Sequence, residues 1–280
     1  MFELLKVNSL SENVKEYVFS AEKIAKHAKA GQFAILRVDE QGERVPFTLC
    51  DTDKINGTIT LLVQTVGATT MKMARLKAGD FVQDIVGPLG NPTDLLFAEK
   101  ILLVSGGIGG AVTYPQIKFL HSLNKTVDNI MGARNKDLLI YKENFDKYAR
   151  HNYVMTDDGS YGEKGFVTNK LEELLNGDEK YDVVFAVGPL RMMQAVCRLT
   201  EKFGVKTIVS MNSIMVDGTG MCGCCRLTVD NKTKYACVDG PEFDGHLVDF
   251  EEAISRSAYY KEQEQEHICR LTGVKNGKND

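Results

Sequence analysis

The feature that most constrains this chain is a loop: Asp217-Gly-Thr-Gly-Met-Cys222-Gly-Cys224-Cys225, followed by Cys237. The spacing Asp217-x4-Cys222-x2-Cys225-x11-Cys237 is that of a plant-type 2Fe–2S site, C-x4-C-x2-C…C, with aspartate in place of the first cysteine. Glycines at 218, 220 and 223 let such a loop turn its N–H groups inward toward the sulfides of a cluster. Adjacent residues rarely aim both side chains at one small centre, so Cys222 and Cys225 are better ligands than Cys224 and Cys225 together. Two other readings compete. Four cysteines within sixteen residues could close a zinc site, although a zinc ribbon wants two separated C-x2-C knuckles and only one is present. The thiols could also be plain buried hydrophobes.

Composition narrows the setting. A chain of 280 residues exceeds one ordinary hydrophobic core, so two or more domains are expected. The 34 basic and 38 acidic residues are spread along the sequence with a net charge of −4, which leaves no nucleic-acid footprint. The N-terminus, Met1-Phe-Glu-Leu-Leu-Lys, carries charges where a secretory segment needs an apolar stretch, and no run approaches membrane-spanning length. Seven cysteines, four of them clustered, suit a reducing compartment. The expectation is a cytoplasmic protein with no membrane association, in which Cys50, Cys197 and Cys269 have no special role.

From residue 1 to about 97 the pattern is short strands and turns: Val14–Phe19, Gln32–Val38, Thr58–Val66 and Phe81–Val86. A small antiparallel β-barrel follows from it. From Lys100 the texture changes. The apolar run Ile101–Val104 enters the glycine turn Ser105-Gly-Gly-Ile-Gly-Gly110, and strand and helix candidates then alternate through Leu190–Phe203 and Lys206–Met211. That alternation predicts an α/β domain with a parallel sheet. The boundaries read as a barrel over 1–97, an α/β nucleotide-binding domain over 98–205, an iron–sulfur module over 206–248 and a helical, mostly solvated tail over 249–280 that frays at Lys275–Asp280.

Gly106, Gly107 and Gly109 can let backbone amides approach a pyrophosphate, although a turn used only for packing would look the same. Gly188 and Pro189 form a second turn between an apolar strand and a helix, and strand ends on one edge of a parallel sheet share a crevice. In the barrel, Arg44, Phe47 and Thr48 offer a cation, an aromatic face and a hydroxyl. Gly67 and Thr70 open a segment that reads as helical through Leu76, another candidate anion site. Phe47 could equally be a core aromatic and Thr70 a helix cap.

The order of these pieces (Arg44-Val-Pro-Phe-Thr48, Gly106–Gly110, Val187-Gly-Pro-Leu-Arg-Met-Met193, then the glycine–cysteine loop) resembles the flavin and iron–sulfur electron-transfer subunits related to ferredoxin–NADP reductase and to the dihydroorotate dehydrogenase electron-transfer subunit. The match spans nearly the whole chain. Within that family, Met215–Cys225 and Ala236–His246 look most like the small subunits of electron-bifurcating NADH-dependent ferredoxin:NADP oxidoreductases, and a dihydroorotate-type subunit would carry cysteine at Asp217. The resemblance implies FAD in the barrel, with Arg44 near the pyrophosphate, Phe47 beside the isoalloxazine, Thr48 near its N5, and Gly67 and Thr70 at the phosphates. It implies NAD(H) at Gly106, Gly107 and Gly109 with Gly188 and Pro189 on the nicotinamide side, and a 2Fe–2S cluster on Asp217, Cys222, Cys225 and Cys237.

Three positions depart from the family pattern. The reductase motif R-x-Y-S would put arginine at Val45, the usual C-G-P turn has cysteine at Val187, and Asp217 replaces a cysteine. The expected activity is hydride exchange between NAD(H) and FAD by positioning alone, with no catalytic base, and single-electron transfer through the cluster to a larger flavin and iron–sulfur partner subunit. Through that partner, NADP(H) and ferredoxin would be reached. The electron-transfer subunit of a dihydroorotate dehydrogenase-type heteromer is the alternative. Asp157-Asp158 after a strand would repel a 2′-phosphate, which favours NADH over NADPH.

Overall fold

The computed structural model describes residues 1–273; the frayed end expected at Lys275–Asp280 lies outside the described residues. The first unit holds β1 (Phe2–Ser9), β2 (Val14–Ser20), α1 (Glu22–His27), β3 (Phe33–Arg37), β4 (Arg44–Thr48), β5 (Asp51–Asp53), β6 (Thr58–Gln64), α2 (Ala68–Met73), β7 (Phe81–Val82) and β8 (Asp84–Leu89). Two antiparallel sheets, ordered β5-β6-β2-β1-β7 and β4-β3-β8, enclose one apolar core that includes Leu4, Tyr17, Phe19, Leu36, Ile59, Leu61 and Met73. This is the expected barrel-like unit. The β4 segment, read in sequence only as a ligand motif, is an edge strand paired to β3 with Phe33 opposite Thr48 and Arg37 opposite Arg44.

Strand β3 is buried on both faces. Ala34 and Leu36 point into the barrel core, whereas Phe33 and Ile35 belong to the core of the C-terminal half. Alternation places successive side chains on opposite faces, so a strand apolar on both faces must be covered twice.

The second unit comprises β9 (Lys100–Gly106), α3 (Gly110–Ser122), β10 (Thr126–Ala133), α4 (Lys142–Phe145), β11 (His151–Thr156), β12 (Glu163–Lys164), α5 (Val167–Asn176), β13 (Val183–Val187), α6 (Leu190–Lys202) and β14 (Thr207–Ser210). Its strands pair in parallel in the order β12-β11-β10-β9-β13-β14. Strand β14 lies beyond residue 205, so the sheet runs past the boundary drawn from the sequence. The sheet gains an antiparallel edge from β17 (Glu242–Asp244), which pairs with β14 after the chain has made the hairpin β15 (Arg226–Val229) and β16 (Lys232–Tyr235). The tail forms α7 (Phe250–Ser257) and α8 (Lys261–Thr272), capped at its start by Asp249, whose carboxylate accepts the Glu252 N–H.

A polar node joins three units: the barrel, the parallel-sheet unit and the segment β15–β17 that follows it. Glu242 of β17 accepts from Thr93 Oγ1 at 2.5 Å and from Gln116 Nε2 of α3 at 3.5 Å, beside Gly31 of the barrel. Burial pushes the Glu242 carboxyl up to about 7 against the pull of these two donors. Because the folded state holds this proton between the ordinary carboxyl value of 4.5 and about 7, stability falls as pH rises across that window. Glu242→Gln is therefore expected to be more stable than the parent at pH 8 by roughly 3 kcal/mol and to lose the pH 5-to-8 slope, as read from denaturant midpoints. An unchanged slope contradicts the assignment.

Candidate functional site

The glycine–cysteine loop is seated on β3. Gly218 has φ +76°, and a methyl group there would lie 2.6 Å from Leu89 Cδ1 and 2.8 Å from Ile35 Cδ1, so only glycine lets the loop reach the barrel sheet. Within the loop the donors come in two pairs. Cys225 and Cys237 are buried with their sulfurs 3.2 Å apart. Asp217 faces Cys222, its carboxylate accepting the N–H of Cys222 at 2.8 Å and of Thr219 at 2.9 Å. Those N–H groups, Thr219 first, hold the Asp217 carboxyl below its ordinary value. Burial pushes the Cys237 thiol up to about 12.

Cys222 is exposed, and Cys224 turns its thiol toward it. Among the described residues no three His, Cys, Asp or Glu side chains are gathered closely enough to hold a single ion. Two thiolates on one tetrahedral metal stand nearly 4 Å apart at metal–sulfur distances of about 2.3 Å, so Cys225 and Cys237 need only a small opening. A two-metal cluster takes its ligands as two pairs, and the arrangement fits that donor set.

The two glycine turns of the sheet meet. A methyl on Gly188 would lie 2.7 Å from Met192 Cε and 3.2 Å from Gly106 Cα, and one on Gly106 would lie 2.5 Å from Met192 Sδ. A methyl on Gly109 would run into the Val187 carbonyl, so Gly109 is needed for packing as well as for any approach by ligand. Gly107 differs: its φ is +54° and nothing lies within 4 Å. The 3-10 turn Gly107–Gly109 also contacts β6 of the barrel, which brings the turns to the barrel segment ending at Gly67. At the neighbouring strand end, the Asp158 N–H donates to the carbonyl of Arg134. Exposed Arg134 and Lys136 therefore sit beside Asp157 and Asp158, cations that the sequence pattern did not single out.

In the barrel, Arg44 Nε donates to the carbonyl of Val216 at 2.9 Å and its Nη1 lies 3.8 Å from Asp84. The side chain thus reaches the residue preceding Asp217. Thr48 shares the Arg44 face of β4, whereas Phe47 lies on the other face and packs against the barrel core. The Thr70 hydroxyl is occupied locally, accepting the N–H groups of Val66 and Gly67 and donating to the Gly67 carbonyl, which makes it the capping residue of α2. Gly67 itself is overlaid by Glu264 of α8.

Comparison with known proteins gives this architecture its class. Residues 1–93 match the oxidoreductase FAD-binding domain, residues 103–198 the oxidoreductase NAD-binding domain, and residues 212–249 the iron–sulfur cluster binding domain of dihydroorotate dehydrogenase B. The chain is thus an oxidoreductase subunit with FAD-, NAD- and cluster-binding domains in the expected order. It belongs to the family of dihydroorotate dehydrogenase B electron transfer subunits and their homologues. It is 43% identical over 263 residues to a Thermotoga maritima protein named as such a homolog, spanning 94% of this chain and 93% of that one. It is 47% identical over 272 residues to an uncharacterized protein in the adh 3′ region of Clostridium beijerinckii, spanning 94% and 92%. A chain in a structure of the NADH-dependent reduced ferredoxin-NADP oxidoreductase, described for flavin-based electron bifurcation, superimposes with a TM-score of 0.91 at 41% identity, over 97% of this chain and 98% of that one.

The contrast between Gly107 and Gly109 gives a prediction. Gly107→Ala is expected to cost about 1 kcal/mol of stability through its positive φ and to weaken NADH binding. Gly109→Ala should cost more stability, because it drives a methyl into backbone. Melting temperatures and NADH titrations of the two variants check this; equal loss of stability in both would contradict the packing role of Gly109.

Proposed function

We propose that this chain is the NADH-linked electron-transfer subunit of an electron-bifurcating NADH-dependent ferredoxin:NADP oxidoreductase. When bound, FAD accepts the two electrons of a hydride and the 2Fe–2S cluster accepts electrons singly, which converts one currency into the other. The observation that carries the reading is the seating of the cluster loop on strand β3 of the flavin-binding barrel. A loop locked there by Gly218 holds its donors next to the barrel.

Each residue has a positioning role. Asp217 with Cys222, and Cys225 with Cys237, are the ligand pairs, one pair per metal. Arg44 and Thr48 face the flavin side of β4, and Gly67 and Thr70 shape the phosphate end, with Thr70 acting through the cap it makes. Phe47 acts from the barrel core beneath the flavin. Gly106, Gly107, Gly109, Gly188 and Pro189 form the NADH crevice. No general base is assigned, since hydride transfer needs alignment of two rings and exclusion of water.

Electrons leaving the cluster need a destination, so a larger flavin and iron–sulfur subunit completes the assembly, and NADP(H) and ferredoxin react there. Seven cysteines without a disulfide among the described residues suit the cytoplasm. Among the described residues no helix is long and apolar enough to cross a membrane. The dihydroorotate dehydrogenase-type heteromer is the second reading, favoured by the names of relatives such as that from Thermotoga maritima. Asp217 in place of cysteine sets this chain apart from it.

Anaerobically purified protein is expected to release FAD and to carry about two iron atoms per chain, and its flavin should bleach faster with NADH than with NADPH. Stoichiometric zinc without iron would end the reading. Among variants, Cys224→Ser should keep the cluster, Asp217→Cys should keep it with an altered spectrum, and Asp217→Ala should make it labile. Loss of the cluster in Cys224→Ser with an unchanged spectrum in Asp217→Ala would move the fourth ligand to Cys224. Co-purification separates the two assemblies: a transhydrogenase-like large subunit supports the first, a dihydroorotate dehydrogenase-like one the second.

A further inference from the structure

Three arginines from three regions of the fold converge on the backbone of the cluster loop. Arg44 of barrel strand β4 donates to the Val216 carbonyl at 2.9 Å, Arg226 at the start of β15 to the Gly223 carbonyl at 3.3 Å, and Arg256 of α7 to the Cys224 carbonyl at 3.2 Å. Arg256 is further fixed by the Tyr259 ring, 5.6 Å from its guanidinium carbon. A trans peptide points its C=O and N–H in opposite directions. Holding the oxygens of 216 and 224 on guanidinium groups, and that of 223 between the Arg226 guanidinium and the Arg226 backbone N–H, both at 3.3 Å, therefore turns the N–H groups of Asp217, Cys224 and Cys225 away from the arginines. Among the described residues those three amides donate to no protein group, whereas the amides of Thr219 and Cys222 are already committed to Asp217.

We propose that Arg44, Arg226 and Arg256 are positioning residues for the iron–sulfur centre: they aim the amides of Asp217, Cys224 and Cys225 at it and raise its reduction potential. The proposal rests on the reading of this loop as a cluster site. Two effects act in the same direction. Amides aimed at cluster sulfides stabilise the extra negative charge of the reduced state, and so does cationic charge held just behind the loop. Arg44 contributes the smallest share of charge because Asp84 lies 3.8 Å from it. Arg226 is exposed and partly screened, which leaves Arg256 as the strongest single contributor. The C-terminal helices thereby acquire a role, since α7 carries the clamp and α8 ties the tail back to the barrel through His267 and Glu43, 3.1 Å apart.

The test is an EPR-monitored redox titration of the full chain, parent first, then Arg256→Gln, Arg226→Gln and Arg256→Lys. Absence of a cluster signal in the parent would overturn the cluster reading itself and is distinguishable from failure of this proposal. With the parent signal present, both Gln variants should titrate at a more negative potential, Arg256→Gln furthest, and Arg256→Lys should recover some of the shift. Iron-loaded Gln variants with the parent's potential would overturn the proposal. Should a Gln variant assemble no cluster, hydrogen exchange over 216–226 in that variant decides: faster exchange than in the cluster-free parent supports the clamp, and equal exchange contradicts it.

Discussion

The contact between the cluster loop and strand β3 is the constraint on which the rest of the molecule depends. A strand with Ala34 and Leu36 on one face and Phe33 and Ile35 on the other can be satisfied only by two cores at once. The barrel supplies one. The second is assembled from β13, β14, the α6 helix and the hairpin β15–β16, and the loop closes over it where Gly218 meets Ile35 and Leu89. Burial of that apolar surface at about 25 cal/mol per Å² fixes the modules relative to one another with no disulfide among the described residues.

Polar joints then refine what apolar burial sets. Glu242 gathers Thr93 and Gln116 at the meeting of the three units, and Tyr141 before α4 reaches Glu16 of the barrel. Lys118 of α3 grips both carboxylate oxygens of Asp51, at 2.7 and 2.8 Å. Such joints add modest net stability each, but they restrict how the nucleotide domain sits against the barrel. A hydride transfer that relies on alignment requires that restriction. The arginine contacts act in the same way on a smaller scale, within the loop itself.

Much of this was legible in the sequence because its signals are local. The run Ile101–Val104 entering Ser105–Gly110, and Val183–Val187 entering Gly188-Pro189, are strand-to-turn signatures that need no knowledge of the partner strand. The cysteine spacing is equally self-contained. What sequence could not reveal depends on contacts between distant residues. The link from Arg44 to Val216 spans 172 positions, so Arg44 read as a phosphate ligand with no hint of its hold on the cluster loop. Phe47 could not be assigned to a face of β4 until that strand's pairing with β3 was known. Edge strand β17 is three residues long and belongs to the parallel sheet only because the chain returns to β14 after the cluster segment. Thr70 looked the same as a cap and as a phosphate contact, since both uses need a hydroxyl at the start of a helix.

The central claim is that electrons from NADH reach the cluster only by way of the flavin held in the barrel beneath it. The most direct measurement is freeze-quench EPR of the cluster after mixing anaerobic protein with NADH, in the FAD-loaded protein and in the same protein depleted of FAD. The account predicts that flavin absorbance falls before the reduced-cluster signal rises, that the depleted protein shows no such signal, and that adding FAD restores it. Reduction of the cluster by NADH in the depleted protein, or an oxidised cluster beside fully reduced FAD, would contradict it.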